Sequence, residues 1–330
     1  MSATPDIARI AQEAKDRHNL SDIVGQFTAL KRRGSHELVG LCPFHDERTP
    51  SFEVNDTKGL YHCWGCGASG DAITFLMERH NMRFVDAVRS LDGDAFPTVS
   101  PEDRARRQRL DAAVAQERIE RAKAIWSGAR SPAGTAAEVY LRQARGLSLE
   151  LPASIRFAMT PRWQNSETGE VGRNLPALVC AMQDCDAKVV AVQCVFLEAG
   201  GRRKYSRRRA DGTPAKAKLT FGQTAGSAFR ASEGDTDELI LCEGPEDALT
   251  LAQELPGRAV WASCGTDLLW QVAIPARFSM ITLAGDNNRP GRAAVAKAAD
   301  VYQERGLRVR TMFPDAEFKD FNDQLRGVRQ

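Results

Sequence analysis

Two short segments near the N-terminus, Cys42-Pro43-Phe44-His45 and Cys63-Trp64-Gly65-Cys66, decide how the first part of the chain folds. In each segment, two residues separate a pair of side chains that bind zinc well. The segments are 17 residues apart, which is enough for a hairpin that brings the pairs together. Matched pairs with this spacing are typical of a structural zinc ribbon, in which four ligands surround one tetrahedral Zn²⁺ ion.

The alternative interpretation of these segments is two unrelated pairs of reduced thiols, although matched pairs are much less common than single ones. His62 is a second candidate imidazole that could replace His45. It precedes Cys63 on a predicted strand, and neighbouring side chains on a strand point to opposite faces. The predicted zinc ligands are therefore the two ends of each segment: Cys42, His45, Cys63 and Cys66.

Length and composition bound the class of protein. A chain of 330 residues with 42% hydrophobic residues is expected to form two to three globular domains. Lys and Arg number 45 against 43 Asp and Glu, so net charge indicates no particular partner. Five cysteines outside the ribbon lie mostly in apolar runs, which favours reduced thiols in the cytoplasm over disulfides. The sequence has neither a signal peptide nor an apolar run long enough to span a membrane, and so predicts a cytoplasmic protein.

Changes in pattern along the chain predict four parts. Strands 36–41, 51–54 and 60–63 surround the metal, and two helices follow them at 72–80 and 84–91. Ser100-Pro101-Glu102-Asp103 then combines a capping serine, a first-position proline and first-turn acids, which predicts a helix that runs to about residue 126. The four predicted parts are 1–91 (zinc ribbon), 92–130 (linker and helical arm), 131–236 (basic mixed α/β subdomain) and 237–330 (α/β domain).

The last part alternates strands with helices, which predicts a mostly parallel sheet. In such sheets, the functional edge lies at the carboxyl ends of the strands. The middle part predicts a strand at 154–159 and a strand pair around a turn at 185–187. The predicted elements of the last part are strands at 239–242, 258–264, 280–284 and 307–313, and helices at 246–255 and 292–305.

Two acidic residues follow buried strands of this predicted sheet. Glu243 comes directly after Leu239-Ile240-Leu241-Cys242, and Asp286 follows the strand at 280–284. Carboxylates at the same edge of a parallel sheet are expected to converge on a hard divalent cation such as Mg²⁺. The alternative is that each acid caps the helix after it, because acids are favourable at helix N-termini.

Three motifs in this region resemble those of a known family. Glu243-Gly244-Pro245-Glu246-Asp247 resembles the first signature of the Toprim fold, and Asp286-Asn287-Asn288-Arg289-Pro290-Gly291 resembles the second, normally Asp-x-Asp. Lys319-Asp320-Phe321-Asn322-Asp323 is similar to the acidic segment that follows Toprim in bacterial primases. Behind an N-terminal Cys-His-Cys-Cys ribbon, this combination resembles the DnaG-type primases of bacteria, phages and mobile elements.

The resemblance implies an α+β multidomain fold, in which a zinc ribbon and a mixed α/β subdomain precede a C-terminal Toprim domain with a mostly parallel sheet. It implies that Glu243 is the catalytic or metal-linked glutamate and that Asp286 is a catalytic residue and principal ligand of Mg²⁺ or Mn²⁺. Asn288 replaces the second acid. Its neutral amide still offers one oxygen as a magnesium ligand but removes a charge, so a second ion is expected to bind less tightly. The supporting acids are Asp320 or Asp323, which compensate for that loss, and Asp247, which orients nearby basic side chains.

A basic block spans residues 202–218, with eight basic side chains and one acidic one. Such a block is a solvated loop or a track for phosphates. The resemblance favours the track, because this subdomain lines a groove for template and nucleotide phosphates in the family. The predicted nucleic-acid and nucleotide contacts are Lys204, Tyr205, Arg207, Arg208, Arg209, Lys216 and Lys218, with Arg48 and Trp64 on the ribbon.

The resulting prediction is a DNA primase, a nucleotidyltransferase that makes short RNA primers during DNA replication. Its predicted partners are single-stranded DNA, NTPs and the RNA–DNA primer duplex. The sequence contains no Gly-x-x-x-x-Gly-Lys-Ser/Thr loop, and it ends soon after the acidic segment. We therefore expect a short phage or mobile-element form with a separately encoded helicase. The alternative is a catalytically weak or inactive DNA-binding initiation factor, which Asn288 favours; a Toprim nuclease or topoisomerase ranks below both.

Overall fold

The chain divides into two units. The first ends at Val114 and the second begins at Ala115. The boundary falls within a long helix, so neither unit coincides with a single predicted part. The computed structural model describes five stretches of the chain: 7–33, 37–93, 101–163, 170–208 and 212–330.

The first unit contains a small antiparallel sheet that carries the two metal-binding segments. Its strands β2 to β4 confirm the three predicted strands, and the short β1 and β5 flank them. The strands lie in chain order: β1 (Lys31–Arg32), β2 (Glu37–Gly40), β3 (Phe52–Asn55), β4 (Leu60–Cys63) and β5 (Ser69–Gly70).

Aromatic rings form much of the core beneath this sheet. Phe52 on β3 stacks on Tyr61 of β4 with ring centroids 5.1 Å apart, and Phe75 meets the Tyr61 ring edge-on at 5.6 Å. All three side chains are buried. Aromatic pairs in these arrangements stabilise a core by more than the burial of their surface alone. The aromatic core therefore supports the strands that carry the metal-binding segments.

Helices complete the first unit. Asp71 caps the third helix by accepting a 2.9 Å hydrogen bond from the backbone N–H of Thr74, and the helix begins and ends at the predicted residues. The first two helices were not predicted. The predicted linker and the capping role of Ser100 fall on residues 94–100, outside the described residues. The helices are α1 (Ile7–Asp16), α2 (Leu20–Val24), α3 (Ala72–His80), α4 (Phe84–Asp92) and α5 (Pro101–Ser127), the last of which crosses into the second unit.

The second unit is built on one mixed sheet of nine strands. The predicted strands and helices of this region are confirmed, whereas β9, β10 and α9 were not predicted. A π-helical turn (Tyr140–Ala144) extends α6, and a 3-10 helix occupies Thr266–Gln271. The elements are α6 (Ala136–Val139), β6 (Ile155–Pro161), β7 (Asn174–Gln183), β8 (Val189–Phe196), β9 (Lys218–Gly222), β10 (Ala228–Ser232), β11 (Glu238–Cys242), α7 (Pro245–Glu254), β12 (Ala259–Ala262), β13 (Met280–Ala284), α8 (Arg289–Glu304), β14 (Arg308–Met312) and α9 (Phe321–Arg326).

The strand order joins two kinds of sheet. Strands β14, β13, β11 and β12 are parallel, and β10 pairs antiparallel with β12 and with β7. The order is β14-β13-β11-β12-β10-β7-β8-β9, with β6 on β7. The two predicted parts 131–236 and 237–330 therefore share one hydrogen-bonded sheet. The fold is the predicted α+β arrangement, with a parallel quartet at its C-terminal end.

The parallel quartet is covered on both faces. Alternate residues of β11 divide between two cores: Ile240 packs in the core that includes Leu249 of α7, and Leu241 in the core that includes Val295 of α8. Cys242 pairs in register with Ala284 of β13, so the carboxyl ends of β11 and β13 are level. In the part of the chain that the structure describes, no helix is both long and apolar enough to cross a membrane.

Candidate functional site

The structure brings the four predicted zinc ligands together. One ligand atom from each of Cys42, His45, Cys63 and Cys66 lies within 4.8 Å of the other three. The Sγ atoms of Cys42 and Cys66 are 3.8 Å apart, and His45 Nδ1 is 3.8 Å from Cys63 Sγ. Separations of this size are those expected around one tetrahedral ion with Zn–S and Zn–N bonds of about 2.0–2.3 Å.

Groups around the cluster fit a bound zinc ion. The backbone N–H groups of Phe44 and Cys66 donate to the sulfurs of Cys42 and Cys63, each at 3.4 Å. Such donors stabilise thiolates, the form in which cysteine binds zinc. Glu47 Oε2 lies 3.4 Å from His45 Nε2, which leaves Nδ1 directed at the cluster. A carboxylate on the far nitrogen is the usual outer partner of a zinc-bound histidine.

The outer groups are themselves held in place. Glu47 accepts hydrogen bonds from the N–H groups of Cys42 and Ser51 at 2.7 and 3.1 Å. The hydroxyl of Ser51 also donates to this carboxylate and, more than any other contact, holds the pKa of Glu47 below its ordinary value. A Cβ at Gly65 would lie 2.7 Å from His45 Nε2, so glycine leaves room for the imidazole.

The other ribbon residues lie where the sequence analysis expected. His62 is outside the cluster: on β4 its neighbours Tyr61 and Cys63 are buried, and its ring meets Trp64 edge-on at 4.6 Å. Trp64 is 58% exposed, and Arg48 is exposed as well. Both are accessible to a partner.

Glu243 and Asp286 follow β11 and β13 at the level edge of the parallel quartet. The capping alternative is wrong for both acids, because the N-cap of α7 is Gly244 and that of α8 is Asn288. Burial, and then the charge of Glu243, raise the pKa of Asp286 from 3.8 to about 6. Lys319 Nζ is 3.9 Å from Asp286 Oδ2 and opposes this rise. The two acids repel each other across the edge, an arrangement that a divalent cation would relieve.

Asn288 uses both ends of its amide within the protein. Its Oδ1 accepts the N–H of Gly291 at 2.8 Å and caps α8, and its Nδ2 donates to Asp286 Oδ2 at 3.3 Å. The predicted amide oxygen is thus engaged by the helix, and the amide nitrogen faces the carboxylate. A Cβ at Gly291 would lie 2.8 Å from the carbonyl oxygen of Asp286, so only glycine lets the first turn of α8 approach this closely.

The three supporting acids have different surroundings. Asp247 is half-buried. Loss of water around its carboxyl, and then the charges of Asp320 and Asp286, raise its pKa from 3.8 to about 8. Its Oδ1 accepts the N–H of Asn322 at 3.0 Å. Asp320 caps α9 through the N–H of Asp323 at 2.8 Å, and the nearest cation to Asp323 is Arg326 at 3.5 Å. Asp320 therefore adds negative charge beside Asp286, whereas Asp247 keeps its proton up to a pH near 8.

Asn287 ties the two loops of this edge together. Its Nδ2 lies 2.8, 3.0 and 2.9 Å from the carbonyl oxygens of Pro314, Asp315 and Phe318. Its backbone N–H donates to the carbonyl of Lys319 at 2.8 Å. These contacts fix the segment that carries Lys319 and Asp320 against the loop that carries Asp286.

We expect Asn287→Ala to destabilise the protein by about 2 kcal/mol, because it strands partly buried carbonyl groups. Urea unfolding of the variant would measure this, with Asn174→Ala, an exposed residue at the start of β7, as the control. An unchanged midpoint in Asn287→Ala would show that the loops are held by other contacts.

A buried carboxylate, Glu246, collects two lysines of the basic block. Lys204 Nζ lies 2.7 Å from Glu246 Oε1, and Lys218 Nζ lies 2.7 Å from Oε2. Burial alone would raise the pKa of Glu246, but the two ammonium groups hold it well below its usual range. Tyr140 donates to Oε1 at 3.0 Å and accepts from Arg145 Nε at 2.8 Å.

This network corrects one role given by the sequence analysis. The carboxylate that holds the nearby basic side chains is Glu246, not Asp247, which instead accepts the N–H of Asn322. Glu246 and its partners Tyr140 and Arg145 were missed, since 106 residues separate Tyr140 from Glu246 in sequence. One sequence signal for Glu246 was available. This acid lies three residues before Leu249, and therefore on the face of α7 that packs in the core.

The rest of the basic block does not converge on this edge. Arg207, Arg208 and Lys216 are exposed, and Arg208 donates to the carbonyl of Gly212 at 2.8 Å. Tyr205 is half-buried, with the guanidinium of Arg162 4.7 Å from its ring centroid. Arg209 lies outside the described residues. The block therefore has a fixed lysine at each side, Lys204 and Lys218, and exposed basic side chains between them at Arg207, Arg208 and Lys216.

Three known families match successive parts of the chain. Residues 7–106 match the CHC2 zinc finger, residues 116–231 match a domain of unknown function (DUF7146), and residues 238–328 match the Toprim domain. The two metal-binding segments thus lie in the part that matches a zinc finger, and Glu243 and Asp286 lie in the part that matches a Toprim domain.

Two DNA primases are similar to most of this chain. The DNA primase of Synechococcus elongatus is 30% identical over 321 residues, covering 86% of this chain and 45% of its own length. The DNA primase of Halalkalibacterium halodurans is 28% identical over 368 residues, covering 97% of this chain and 57% of its own. The chain spans about half the length of these two relatives. The solved zinc-binding and RNA polymerase domains of the Aquifex aeolicus primase cover 98% of this chain at 18% identity, with a TM-score of 0.45.

Proposed function

We propose that this chain, a member of the DnaG-type primase family, synthesises short RNA primers on single-stranded DNA by metal-dependent nucleotidyl transfer. One observation carries the proposal above the others. The paired carboxylates Glu243 and Asp286 lie at the carboxyl edge of a parallel sheet, directly beside a fixed pair of lysines, in a chain that also contains a zinc ribbon. The domain order, CHC2 zinc finger before Toprim, supports the same function.

The acidic edge fits a divalent cation. Glu243 and Asp286 would hold Mg²⁺ or Mn²⁺, which supplies charge neutralisation at the phosphates and activation of an oxygen nucleophile. Burial is the largest cause of the raised pKa values of Asp286 and Asp247, and the charges of neighbouring acids add to it. A divalent cation at this edge would offset both effects. Asn288 fits less well as a ligand, since its amide oxygen caps α8. We therefore assign the metal to the acids, with Asp320 and Asp323 as supporting groups.

The residues of the chain bind and orient the reactants. The 3′-hydroxyl of the primer forms a bond to the α-phosphorus of the next NTP, while the bond to the β-phosphate breaks and pyrophosphate leaves. Lys204 and Lys218 neutralise the phosphate oxygens of the NTP. Arg207, Arg208, Arg209 and Lys216 contact backbone phosphates of the template or the RNA–DNA duplex.

The zinc ribbon and the aromatic residues serve the template. The bound zinc holds the ribbon in shape, and the exposed Trp64 and Arg48 contact single-stranded DNA by stacking and by charge. Tyr205 presents a second ring to an unpaired base. We also propose that a separately encoded helicase delivers the template, in the bacterial cytoplasm of a phage or mobile-element host.

Primer synthesis by the purified protein tests this function. The reaction contains single-stranded DNA of mixed sequence, labelled NTPs and either Mg²⁺ or Mn²⁺. We expect short RNA products that disappear in Glu243→Gln and in Asp286→Ala, while both variants still bind DNA and zinc. Products that persist in both variants, or no products from the unaltered protein, would contradict the proposal.

A DNA-binding initiation factor is the second candidate, and Asn288 is the observation that favours it. We expect Asn288→Asp to keep the cap of α8, because Asp and Asn cap helices equally well, and to add a charge beside Asp286. In a primase this charge should increase Mg²⁺ affinity and primer yield several-fold. Asn174→Asp, which adds the same charge on another strand, is the control. Primer yield that stays at background in Asn288→Asp would favour the binding factor.

A further inference from the structure

Glu246 is a buried carboxylate that no step of the proposed reaction uses. Its side chain is only 6% exposed, although the residue lies in the first turn of α7, three residues after Glu243. Buried carboxylates are costly unless they are paired with cations. A role for Glu246 must therefore explain why this position carries an acid and what its partners do.

The charges around Glu246 do not cancel. Lys204, Lys218 and Arg145 face one carboxylate, and the hydroxyl of Tyr140 lies between Arg145 and Glu246. Asp247 and Asp320 also act on Lys218 and Arg145, but Asp247 keeps its proton up to a pH near 8. The three cations therefore still leave a positive surplus. A surplus of this kind is what a polyanion such as a triphosphate would neutralise.

The two lysines remain accessible beside the carboxylate edge. Their side chains are 31% and 37% exposed, whereas Glu246 behind them is buried. A Cβ at Gly244 would lie 3.3 Å from Lys218 Nζ, so this ammonium group lies against the loop that carries Glu243. Lys218 also lowers the pKa of Asp286, which shows that its charge acts at the carboxylate edge.

We propose that Glu246 is a positioning residue that holds Lys204 and Lys218 as a fixed pair of ammonium groups for the triphosphate of the incoming nucleotide. This inference rests on the proposed primase function and adds a specific task for a residue that touches no reactant. Tyr140 and Arg145 support this arrangement. Tyr140 donates to Oε1 of Glu246, the oxygen that Lys204 contacts, and Arg145 donates to the hydroxyl of Tyr140.

Removal of the anion should change the behaviour of Lys204 most. Burial lowers the pKa of Lys204, the charges of Lys218 and Arg145 lower it further, and the charge of Glu246 opposes them. In Glu246→Gln only the lowering influences remain. Lys204 should then lose its proton as pH rises across the alkaline half of the assay range, and the fixed pair of ammonium groups would be lost.

Binding of NTP and of inorganic tripolyphosphate to Glu246→Gln tests the inference. We expect the dissociation constants and the KM for NTP to rise about tenfold, more at pH 9 than at pH 7, with a smaller change in kcat. Glu254→Gln, an exposed acid on the same helix, is the control. Circular dichroism verifies that both variants are folded. Unchanged or tighter tripolyphosphate binding in Glu246→Gln would overturn the proposal.

A double-variant comparison shows whether Glu246 acts through the lysines. In a Lys204→Met background, Glu246→Gln should weaken tripolyphosphate binding by a smaller factor than in the unaltered protein. An equal factor in both backgrounds would refute the positioning role. Because tripolyphosphate binding needs no primer synthesis, a protein that binds it in a Glu246-dependent manner but makes no primers would contradict the proposed function and leave this inference standing.

Discussion

Replacement of Cys63 by serine is expected to abolish zinc binding and to unfold the ribbon sheet. Cys63 is fully buried at the end of β4 and pairs in register with Phe52, so the ligand and the aromatic core share one strand pair. Structural zinc contributes about 10 kcal/mol or more to the folding of small modules. Burial of a core this small does not supply a comparable folding free energy to the sheet of short strands.

Zinc content and amide hydrogen exchange would measure this result. We expect zinc to fall from one ion per chain to none, and the amides of β3 and β4 to lose protection, while the amides of β11 and β13 keep theirs. His62→Ala is the matched control, because His62 lies beside Cys63 but outside the cluster. Retention of zinc in Cys63→Ser, or its loss in His62→Ala, would show that the ligand set is different.

Asp247→Asn is expected to stabilise the protein at pH 7 when no Mg²⁺ is added. The pKa of Asp247 is raised from 3.8 to about 8 in the folded chain, so the folded state holds a proton that the unfolded state releases. The stability that this proton contributes is complete below pH 4 and is lost as pH rises towards 8. A permanently neutral Asn avoids the loss, which amounts to about 4 kcal/mol at pH 7, because pH 7 lies about 3 units above the unfolded pKa.

Urea unfolding between pH 4 and 8 would measure the difference. The unaltered protein should lose stability across this range relative to Asp247→Asn, and Mg²⁺ should stabilise the unaltered protein more than the variant. Asp267→Asn, at an exposed acid, is the control. Parallel pH profiles of the two proteins would mean that Asp247 is ionised in the folded state and paired with a cation.

Most of the fold and the zinc ligands could be predicted from short-range patterns in the sequence. The four ligands sit within 25 residues, and the spacing within each pair is enough to define one tetrahedral cluster. β11 ends in the apolar run from Leu239 to Cys242, and β13 is apolar except for Thr282. The ends of these strands, and the acids that follow them, can therefore be predicted from the sequence. For this reason the positions of Glu243 and Asp286 were predicted to lie at one edge.

Contacts between distant segments could not be predicted in this way. Asn322 donates to the carbonyl of Arg145 across 177 residues, and Glu246 gathers lysines from a different half of the sheet. The role of Asn288 could not be predicted either. A single side-chain rotation decides whether its amide oxygen faces a metal or the first turn of α8. Composition and spacing do not encode such choices, which depend on how the folded loops meet.

The pairing of β10 with both β7 and β12 has a mechanical consequence. One hydrogen-bonded sheet contains β9, which begins at Lys218, and also β11 and β13, which end just before Glu243 and Asp286. Because β10 lies between them in this sheet, no hinge separates Lys218 from the acids. A bending motion at β10 would break ladder hydrogen bonds along the whole strand. Within the second unit, nucleotide selection is therefore a matter of how side chains fit the nucleotide inside a rigid frame.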